Sequence, residues 1–388
     1  MPDRPRLICI DARWILPRIS GIGRVTERII SHLGRREGPE RYLLLFSDPS
    51  QHRLYSRLWA DLEALEPVLV PWKIFSPAGQ MALPRYLAAR GVELFHSPNF
   101  FLPLGPGKTP MVTTIHDLIP LKFPQFTPRA LKTRFHPLFR HLLRRCARRS
   151  RFVFTVSRHT ASDLREDLGL SDEKIRVIPN GIDEVYRPLE PKQAEAGLPD
   201  QVRGIGPYIL YVGRFDPYKN VPGLIRCFKQ TADEVPEARL VVVGHRDPRY
   251  PEAFAEAGRL RLGKKIIFVD GASEEELVSL YNRARFLVLP SFYEGFGLPP
   301  LEAMACGTAV IVSNRASLPE VVGEAGIIVD AADESALARA LTGVWRDDAL
   351  RRDLGKRGRA RARNFSWQRA AGQTLDAYRE ILGSEAER

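Results

Sequence analysis

Short runs of apolar residues recur along the chain and alternate with longer stretches in which apolar residues return every three or four positions. The short runs are typical of buried strands and the longer repeat is typical of amphipathic helices. Such an alternation predicts parallel sheets that are covered by helices on both faces. In the first half, the predicted strands are residues 7–10, 42–46, 68–70, 94–96, 111–115 and 152–156.

A second series of the same kind follows, with predicted strands at residues 208–212, 240–243, 266–269, 286–289, 309–312 and 326–329. Between the two series, residues 184–206 are rich in Pro, Gly and charge and have no sustained periodicity, which is typical of a linker. We therefore predict one α/β domain over 1–183 and another over 207–366. Two doubly wound domains predict a cleft between them, with ligands at the carboxyl ends of the strands.

The composition is that of a globular protein: 388 residues, 44% apolar and 27% charged. The length fits two domains. No apolar run is long enough to span a bilayer, and residues 1–4 lack the apolar core of a signal peptide. The four cysteines have no metal-ligand spacing, so we expect buried, reduced thiols in a cytoplasmic protein.

The net charge of +12 is concentrated in the first half. Residues 1–185 hold 29 Lys and Arg against 18 Asp and Glu, and no acidic residue stands between Asp117 and Asp163. Residues 129–151 combine many arginines with an apolar stripe, which predicts a basic amphipathic helix, bent or divided at Pro137. A solvated helix face, a surface for anionic membranes and a nucleic-acid site all fit this pattern.

The strongest chemical signal is a pair of glutamates, Glu294 and Glu302, that stand eight positions apart across a glycine-rich turn. The turn follows a predicted strand and precedes a predicted helix that starts at Pro300. Gly297 leaves the backbone bare, so peptide N–H groups can approach a ligand, and a helix N-terminus favours phosphate. Carboxylates accept hydrogen bonds from sugar hydroxyls. Such a turn suits a nucleotide sugar.

Two further polar groups follow predicted strands. Arg214 and Lys219 come directly after the first strand of the second half, where a guanidinium fork and a compact ammonium can neutralise a diphosphate. His116, next to Asp117, follows a strand of the first half and can bond a sugar hydroxyl or a phosphate. Surface cations and a structural cap explain these residues as well when each is taken alone.

A glycine-rich loop precedes the first helix, which we predict over residues 24–33. Gly21 and Gly23 could press their backbone N–H groups against a phosphate. The third glycine of the dinucleotide-binding fingerprint is missing, because position 26 is Thr. A nicotinamide-dependent dehydrogenase is therefore the weaker alternative.

Taken together, these residues and their order resemble the retaining GT-B glycosyltransferases of family GT4, over nearly the whole chain. The motifs that carry the resemblance are Asp11 with the Gly-Ile-Gly loop, Thr155-Val-Ser157, Pro179-Asn-Gly-Ile-Asp183, residues 213–220, residues 294–302, Ser313-Asn314 and Phe365-Ser-Trp367. The resemblance implies two Rossmann-like domains facing across a cleft, with a C-terminal helix, residues 367–388, that returns to the first domain. One departure is Tyr218, where relatives often carry a basic residue.

The resemblance also implies roles for the residues that match its motifs. Glu302 would bind the ribose, Glu294 the donor sugar, and Arg214 with Lys219 the diphosphate. The backbone amides of Phe296, Gly297 and Leu298 would contact the β-phosphate and the sugar. His116 would contact the donor sugar and lie beside the acceptor site.

The predicted function is a retaining, metal-independent transfer of a hexose to a glycan or lipid-linked acceptor in surface-polysaccharide or lipopolysaccharide assembly. GDP-mannose is the expected donor, and a UDP-sugar is the alternative. The enzyme is expected in the cytoplasm, at the inner face of the membrane. A nucleotide-sugar epimerase, a glycosyl phosphorylase and a non-enzymatic binding protein are the remaining alternatives. The sequence leaves open the base, for which we expect contacts after Phe268, and the acceptor, linkage and oligomeric state.

Overall fold

The structure is a computed structural model that describes residues 5–17, 21–105, 107–126 and 136–386. The backbone packs into two units. The first contains the described residues up to Leu118, those from His136 to Gly181, and those from Trp367 onward. The second contains residues 119–126 and 182–366.

In the described part of the chain, the first unit holds one parallel sheet in the order β3-β2-β1-β4-β5-β6-β7. The order reverses direction between β1 and β4, as in doubly wound folds. The strands are β1 (Arg6–Ile10), β2 (Glu40–Phe46), β3 (Leu65–Leu69), β4 (Leu94–Ser97), β5 (Met111–Thr114), β6 (Val153–Thr155) and β7 (Ile175–Val177).

The second unit holds a parallel sheet in the order β10-β9-β8-β11-β12-β13. Its order reverses between β8 and β11, and in doubly wound folds such a reversal marks the crevice in which a ligand binds. The strands are β8 (Ile209–Val212), β9 (Leu240–Val243), β10 (Ile266–Val269), β11 (Phe286–Leu289), β12 (Ala309–Ser313) and β13 (Ile327–Val329).

Most helices of the described residues lie between strands along the chain, and three follow the last strand. In chain order they are α1 (Gly21–Gly34), α2 (Pro49–Leu58), α3 (Pro77–Ala89), α4 (Ile119–Lys122), α5 (His136–Arg149), α6 (Arg158–Leu168), α7 (Pro191–Ala196), α8 (Val221–Glu234), α9 (Glu252–Arg259), α10 (Glu274–Arg283), α11 (Leu298–Ala305), α12 (Leu318–Val322), α13 (Glu334–Arg346), α14 (Asp348–Ala362) and α15 (Trp367–Ala386). Among them, no helix is long and apolar enough to cross a membrane.

The first sheet is covered on both faces, as its continuous apolar strands predict. One core cluster joins alternate residues of β1 and β2 to α1 and α15, with Ile8, Leu44 and Leu375 fully or almost fully buried. A second cluster joins the intervening residues, such as Cys9 and Leu43, to α3. The predicted two-domain α/β architecture is therefore confirmed. All four cysteines are buried and free, as expected.

The C-terminal helix α15 belongs to the first unit, as the resemblance implies. Its Tyr378 hydroxyl lies 2.6 Å from Nδ1 of His96, inside the core. Its Arg379 donates to the carboxylate of Glu40 at 2.7 Å and 3.0 Å. One buried hydrogen bond and one bidentate ion pair thus fix the helix to strands that lie more than 280 positions earlier in the sequence.

Residues 184–206 are not a free linker. Helix α7 packs on α10, where Glu195 accepts from Nε of Arg283 at 2.8 Å. Ala194, Leu198 and Val202 are buried, so this stretch adds apolar area to the second unit despite its irregular pattern. Residues 119–126 also group with the second unit, where the ring of Phe123 lies 5.3 Å from that of Tyr293.

The predicted basic helix is described from His136 onward as α5. Residues 129–135 lie outside the described residues, and the bend at Pro137 stays a prediction. Phe139, Leu143 and Cys146 are buried against the first unit. Two arginines serve the fold itself, since Arg145 donates to the carbonyl of Leu104 and Arg149 to that of Pro103.

Candidate functional site

Two loops of the second unit meet at the point where the strand order of its sheet reverses. One follows β8 and carries Arg214 and Lys219, and the other follows β11 and carries Glu294. A backbone hydrogen bond of 2.7 Å from the N–H of Phe292 to the carbonyl of Tyr218 ties the loops together. The fold therefore brings together three residues that the sequence separates by up to 80 positions.

Lys219 and Glu294 form a chelated ion pair. The ammonium nitrogen lies 2.7 Å and 2.8 Å from the two carboxylate oxygens, and the side chains are 14% and 11% exposed. The Ser291 hydroxyl donates to the same carboxylate at 2.7 Å. A buried ion pair needs such additional hydrogen bonds to offset the desolvation of two charges. The pair holds the lysine at a fixed place in the crevice.

Arg214 forms a different kind of pair, because the cation is open to solvent and its partner is not. Nε and Nη2 donate side-on to the carboxylate of Asp216 at 2.7 Å and 3.1 Å. The Arg214 side chain is 64% exposed and that of Asp216 is 7% exposed. Desolvation opposes the charge of Arg214, but Asp216 and Tyr218 together outweigh it, and the pKa of the guanidinium is raised.

Helix α11 begins at Leu298, two residues before the predicted start. Gly297, with a φ of +108°, is the residue before the helix, and no side chain caps it. A Cβ at this position would lie 2.7 Å from a methyl group of Leu318, so only glycine fits. Because Pro299 and Pro300 have no N–H, Gly297 and Leu298 supply the N–H groups at this helix end. An anion would bind to these two donors.

Two buried serines hold this loop in shape, and the sequence analysis missed both as site residues. The Ser317 hydroxyl lies 2.9 Å from the carbonyl oxygen of Glu294 and 2.8 Å from that of Phe296. The Ser313 hydroxyl donates to the carbonyl of Ser291 at 2.5 Å. Ser313 was noted only as part of a motif, and nothing in the hydrophobic pattern indicates Ser317.

Glu302 lies inside α11 and is 4% exposed. Its carboxylate accepts a hydrogen bond of 2.6 Å from the Tyr281 hydroxyl of α10. Burial and this carboxylate raise the pKa of the Tyr281 phenol well above its usual value, so the phenol stays a donor. Glu302 therefore has a fixed orientation, and its contact with ribose stays a prediction.

His116 lies in the first unit, just after β5, and is held in one neutral form. Its Nε2 lies 3.1 Å from the carbonyl oxygen of Pro98, which is only an acceptor, so Nε2 carries the proton. Nδ1 is then an acceptor, and no group of the described residues donates to it. Burial lowers the pKa of His116 to about 4, against the opposing hydrogen bond. Nδ1 can therefore accept a hydrogen bond from a hydroxyl group at neutral pH.

The side chain of His116 borders a mostly apolar cavity of about 30 Å³ in the first unit. Threonine hydroxyls and Asn180 are its other polar neighbours, and among the described residues the buried Thr155 hydroxyl has no hydrogen-bond partner. His96, on the same cavity wall, contacts Tyr378 and Thr114. Burial, and to a smaller extent repulsion from the protonated form of His116, lowers the pKa of His96 to about 3.

The glycine pair of the first unit lies differently from the prediction. Helix α1 begins at Gly21, three residues earlier than expected, so Gly21 and Gly23 occupy its first turn. Gly21 is exposed and Gly23 is buried. The residues just before, 18–20, lie outside the described part of the chain. A phosphate contact by either glycine stays a prediction.

Comparisons with known proteins show the family of the chain. Residues 201–361 match the profile of glycosyl transferases group 1, and residues 19–185 match that of glycosyltransferase family 4. Over 290 residues the chain is 32% identical to the O-antigen chain mannosyltransferase B of Escherichia coli, covering 74% of each protein. The chain belongs to glycosyltransferase family 4. It is an enzyme of the glycosyltransferase class.

Another relative is the serotype-specific mannosyltransferase WbdA of Escherichia coli, at 27% identity over 75% of this chain and 36% of that protein. Solved structures show the GT-B fold. Sucrose-phosphate synthase from Thermosynechococcus elongatus superimposes with a TM-score of 0.75 at 22% identity, over 98% of this chain and 100% of the other. Anabaena Alr3699/HepE, solved with UDP and glucose, gives 0.74 at 19% identity, over 97% and 99%.

The two neutral histidines predict a loss of stability in acid. Their folded pKa values of about 3 and about 4 lie below the 6.5 of the unfolded chain, which therefore takes up protons first as the pH falls. The free energy of unfolding should drop below pH 6.5 by up to about 1.4 kcal/mol per pH unit for each ring. In urea unfolding from pH 7.5 to 4.5, His96→Asn should flatten this slope. Exposed His141→Asn is the control, and equal slopes in wild type and His96→Asn would contradict the assignment.

Backbone strain beside Ser317 predicts a stabilising substitution. Ala316 has a φ of +53°, a left-handed conformation that costs a residue with a Cβ about 1–2 kcal/mol. A glycine would relieve this strain, but its greater flexibility in the unfolded chain offsets part of the relief. Ala316→Gly should therefore raise the free energy of unfolding by about 0.5–1 kcal/mol. Ala340→Gly, inside α13, should lower it by about 1 kcal/mol. Denaturant unfolding measures both changes, and a loss of stability in Ala316→Gly would refute the strain.

Proposed function

We propose that the protein transfers mannose from GDP-mannose to a glycan or lipid-linked glycan in surface-polysaccharide or lipopolysaccharide assembly, with retention of the anomeric configuration. One observation carries the proposal: the guanidinium of Arg214, the ammonium of Lys219 and the free N–H groups of Gly297 and Leu298 belong to loops at one end of the second sheet. This set suits the diphosphate of a nucleotide sugar.

In this proposal, the residues act on charge that develops as the glycosidic bond breaks. Negative charge grows on the β-phosphate of the departing nucleotide, where Arg214, Lys219 and the N–H groups before α11 stabilise it. Glu294 orients the donor sugar, while its chelation of Lys219 keeps the ammonium in place. Glu302 accepts from the ribose. In the first unit, Nδ1 of His116 accepts a hydrogen bond from a sugar hydroxyl. The acceptor hydroxyl attacks from the face that the nucleotide leaves, and its proton passes to the departing phosphate.

The choice of mannose is supported by the relatives, since the Escherichia coli proteins reported above are mannosyltransferases by name, one of them an O-antigen chain enzyme. A UDP-sugar donor is the second candidate, and the Anabaena structure with UDP and glucose supports it. Because the guanidinium of Arg214 and the ammonium of Lys219 are oriented hydrogen-bond donors for the leaving group, we propose that transfer needs no metal. Activity should therefore persist in excess chelator, and restoration by Mg²⁺ or Mn²⁺ alone would oppose this point.

A thermal-shift screen with GDP, UDP, ADP and CDP and their sugars tests the donor class. A ligand at about 100 times its Kd should stabilise the protein by about 2.7 kcal/mol, and GDP with GDP-mannose should give the largest shift. Removing one charge that stabilises the transition state costs about 2–4 kcal/mol, so Lys219→Ala should lose about 30- to 1000-fold in kcat/KM.

The control for that variant is Lys229→Ala, which removes a half-buried lysine of α8 whose ion-pair partner among the described residues is Asp233. It should leave turnover unchanged. Melting curves are needed for both variants, because Lys219→Ala leaves the Glu294 carboxylate buried without its cation. Wild-type turnover in folded Lys219→Ala would remove the leaving-group role. A shift with UDP-sugars alone would keep the site and replace the donor.

We also propose that α5 holds the enzyme at an anionic membrane surface, in the cytoplasm. Leu138, Arg140 and Arg148 are exposed on this helix, and within the described residues neither arginine donates to a loop carbonyl as Arg145 and Arg149 do. An apolar side chain among exposed cations is typical of helices that lie at lipid headgroups.

Flotation with liposomes tests this attachment. Binding should require anionic lipid, weaken as salt rises, and fall at least about fivefold in the double variant Arg140→Glu/Arg148→Glu. The matched variant Arg352→Glu/Lys356→Glu makes the same charge change on α14 of the second unit and should bind like wild type. Equal losses in both would point to net charge alone, and no dependence on anionic lipid would refute the proposal.

A further inference from the structure

Asp216 is a buried carboxylate whose recorded hydrogen bonds, among the described residues, all come from Arg214. Both of its oxygens accept from this side chain. It precedes a short 3-10 turn, Pro217–Lys219, but does not cap that turn with its side chain. Because the side chain of Asp216 does not cap the turn, the start of the turn does not explain why an acid stands at this position.

The geometry of the pair leaves part of the guanidinium available. Nε and Nη2 face Asp216, so the Nη1 edge points away from the carboxylate and can donate to a second partner. The exposure of the two side chains agrees, since Arg214 is 64% exposed above an almost fully buried Asp216. The main chain is fixed as well, because the Tyr211 hydroxyl donates to the carbonyl of Arg214 at 2.7 Å.

We propose that Asp216 is a positioning residue for donor binding, which holds the Arg214 guanidinium in the orientation that receives the diphosphate. This inference rests on the proposed function. An exposed arginine has many rotamers, and ordering it at the moment of binding weakens the affinity for the ligand. The side-on pair with Asp216 orders it beforehand. The Asp216 carboxylate lies beneath the guanidinium and pairs with its Nε and Nη2 atoms. The Nη1 edge of the guanidinium remains able to donate to the diphosphate.

The chain contains a matched pair that has no such role in the proposal. Arg379 and Glu40 of the first unit also pair through Nε and Nη2, at 2.7 Å and 3.0 Å. The Glu40 carboxylate is 4% exposed and the Arg379 side chain is 45% exposed, so a buried acid again holds a more exposed guanidinium, as in Asp216 and Arg214. Removing the carboxylate charge at Glu40 and at Asp216 therefore separates a general effect of breaking such an ion pair from an effect on Arg214.

The test is a double-mutant cycle on binding of GDP and UDP, and of the corresponding nucleosides, by calorimetry. Asp216→Asn keeps the shape of the side chain and removes its charge. It should weaken binding of the diphosphate about tenfold, as expected for loss of one preordered charge-assisted contact, and leave nucleoside binding within about twofold. Glu40→Gln should leave both unchanged.

In the Arg214→Ala background, Asp216→Asn should have no further effect, because the proposed role acts only through the guanidinium. If Arg214→Ala binds diphosphate like wild type, the proposed diphosphate site fails. If Arg214→Ala is weak and Asp216→Asn is not, the site stands and the positioning role fails. An equal loss from Asp216→Asn with and without Arg214 would also overturn the role. Asp216→Glu and the melting temperature of every variant exclude a folding defect as the cause.

Discussion

The ion pair between Lys219 and Glu294 is the interaction on which the candidate site depends. It joins the loops after β8 and β11, and these strands are neighbours only because the strand order of the second sheet reverses between them. Desolvation of two charges is offset by the chelated geometry and by the Ser291 hydroxyl. Without the lysine, the fold would have to bury an unpaired carboxylate, which costs about 3–5 kcal/mol.

Backbone strain at two positions near this pair also marks a site that its surroundings hold in shape. Asn220 follows Lys219 with a φ of +56°, and Ala316 precedes Ser317 with a φ of +53°. Residues with a Cβ remain in the left-handed region only where their surroundings hold them there. The side-chain amide of Asn220 does so by donating to the carbonyl of Ala331 at 3.1 Å. Two strained positions thus flank side chains that fix the crevice, which suits a site ordered before its ligand arrives.

Much of this could be predicted from the sequence, because the signals are local. All six strands of the second sheet are apolar runs with few alternatives, and the residues after them are at the carboxyl edge in any parallel sheet. Strand β7 was missed because Ile175–Val177 is three residues long with an arginine in the middle. The packing of residues 184–206 was missed because it depends on single side chains such as Leu198, which meet α10 only after folding.

The partners of charged groups could not be predicted, because they depend on side-chain geometry across distant loops. They change the electrostatic argument. The sequence suggests two free cations for a diphosphate, whereas the structure pairs Arg214 with Asp216 and Lys219 with Glu294, so this group has no net formal charge.

Recognition of a diphosphate at such a group has to come from oriented donors, since a balanced group produces only a weak field at a distance. The excess positive charge of the chain lies almost entirely in residues 1–185, with 29 Lys and Arg against 18 Asp and Glu. The basicity of this glycosyltransferase and its candidate site are therefore separate features. An explanation of the net charge has to be sought in the first unit, on surfaces such as that of α5.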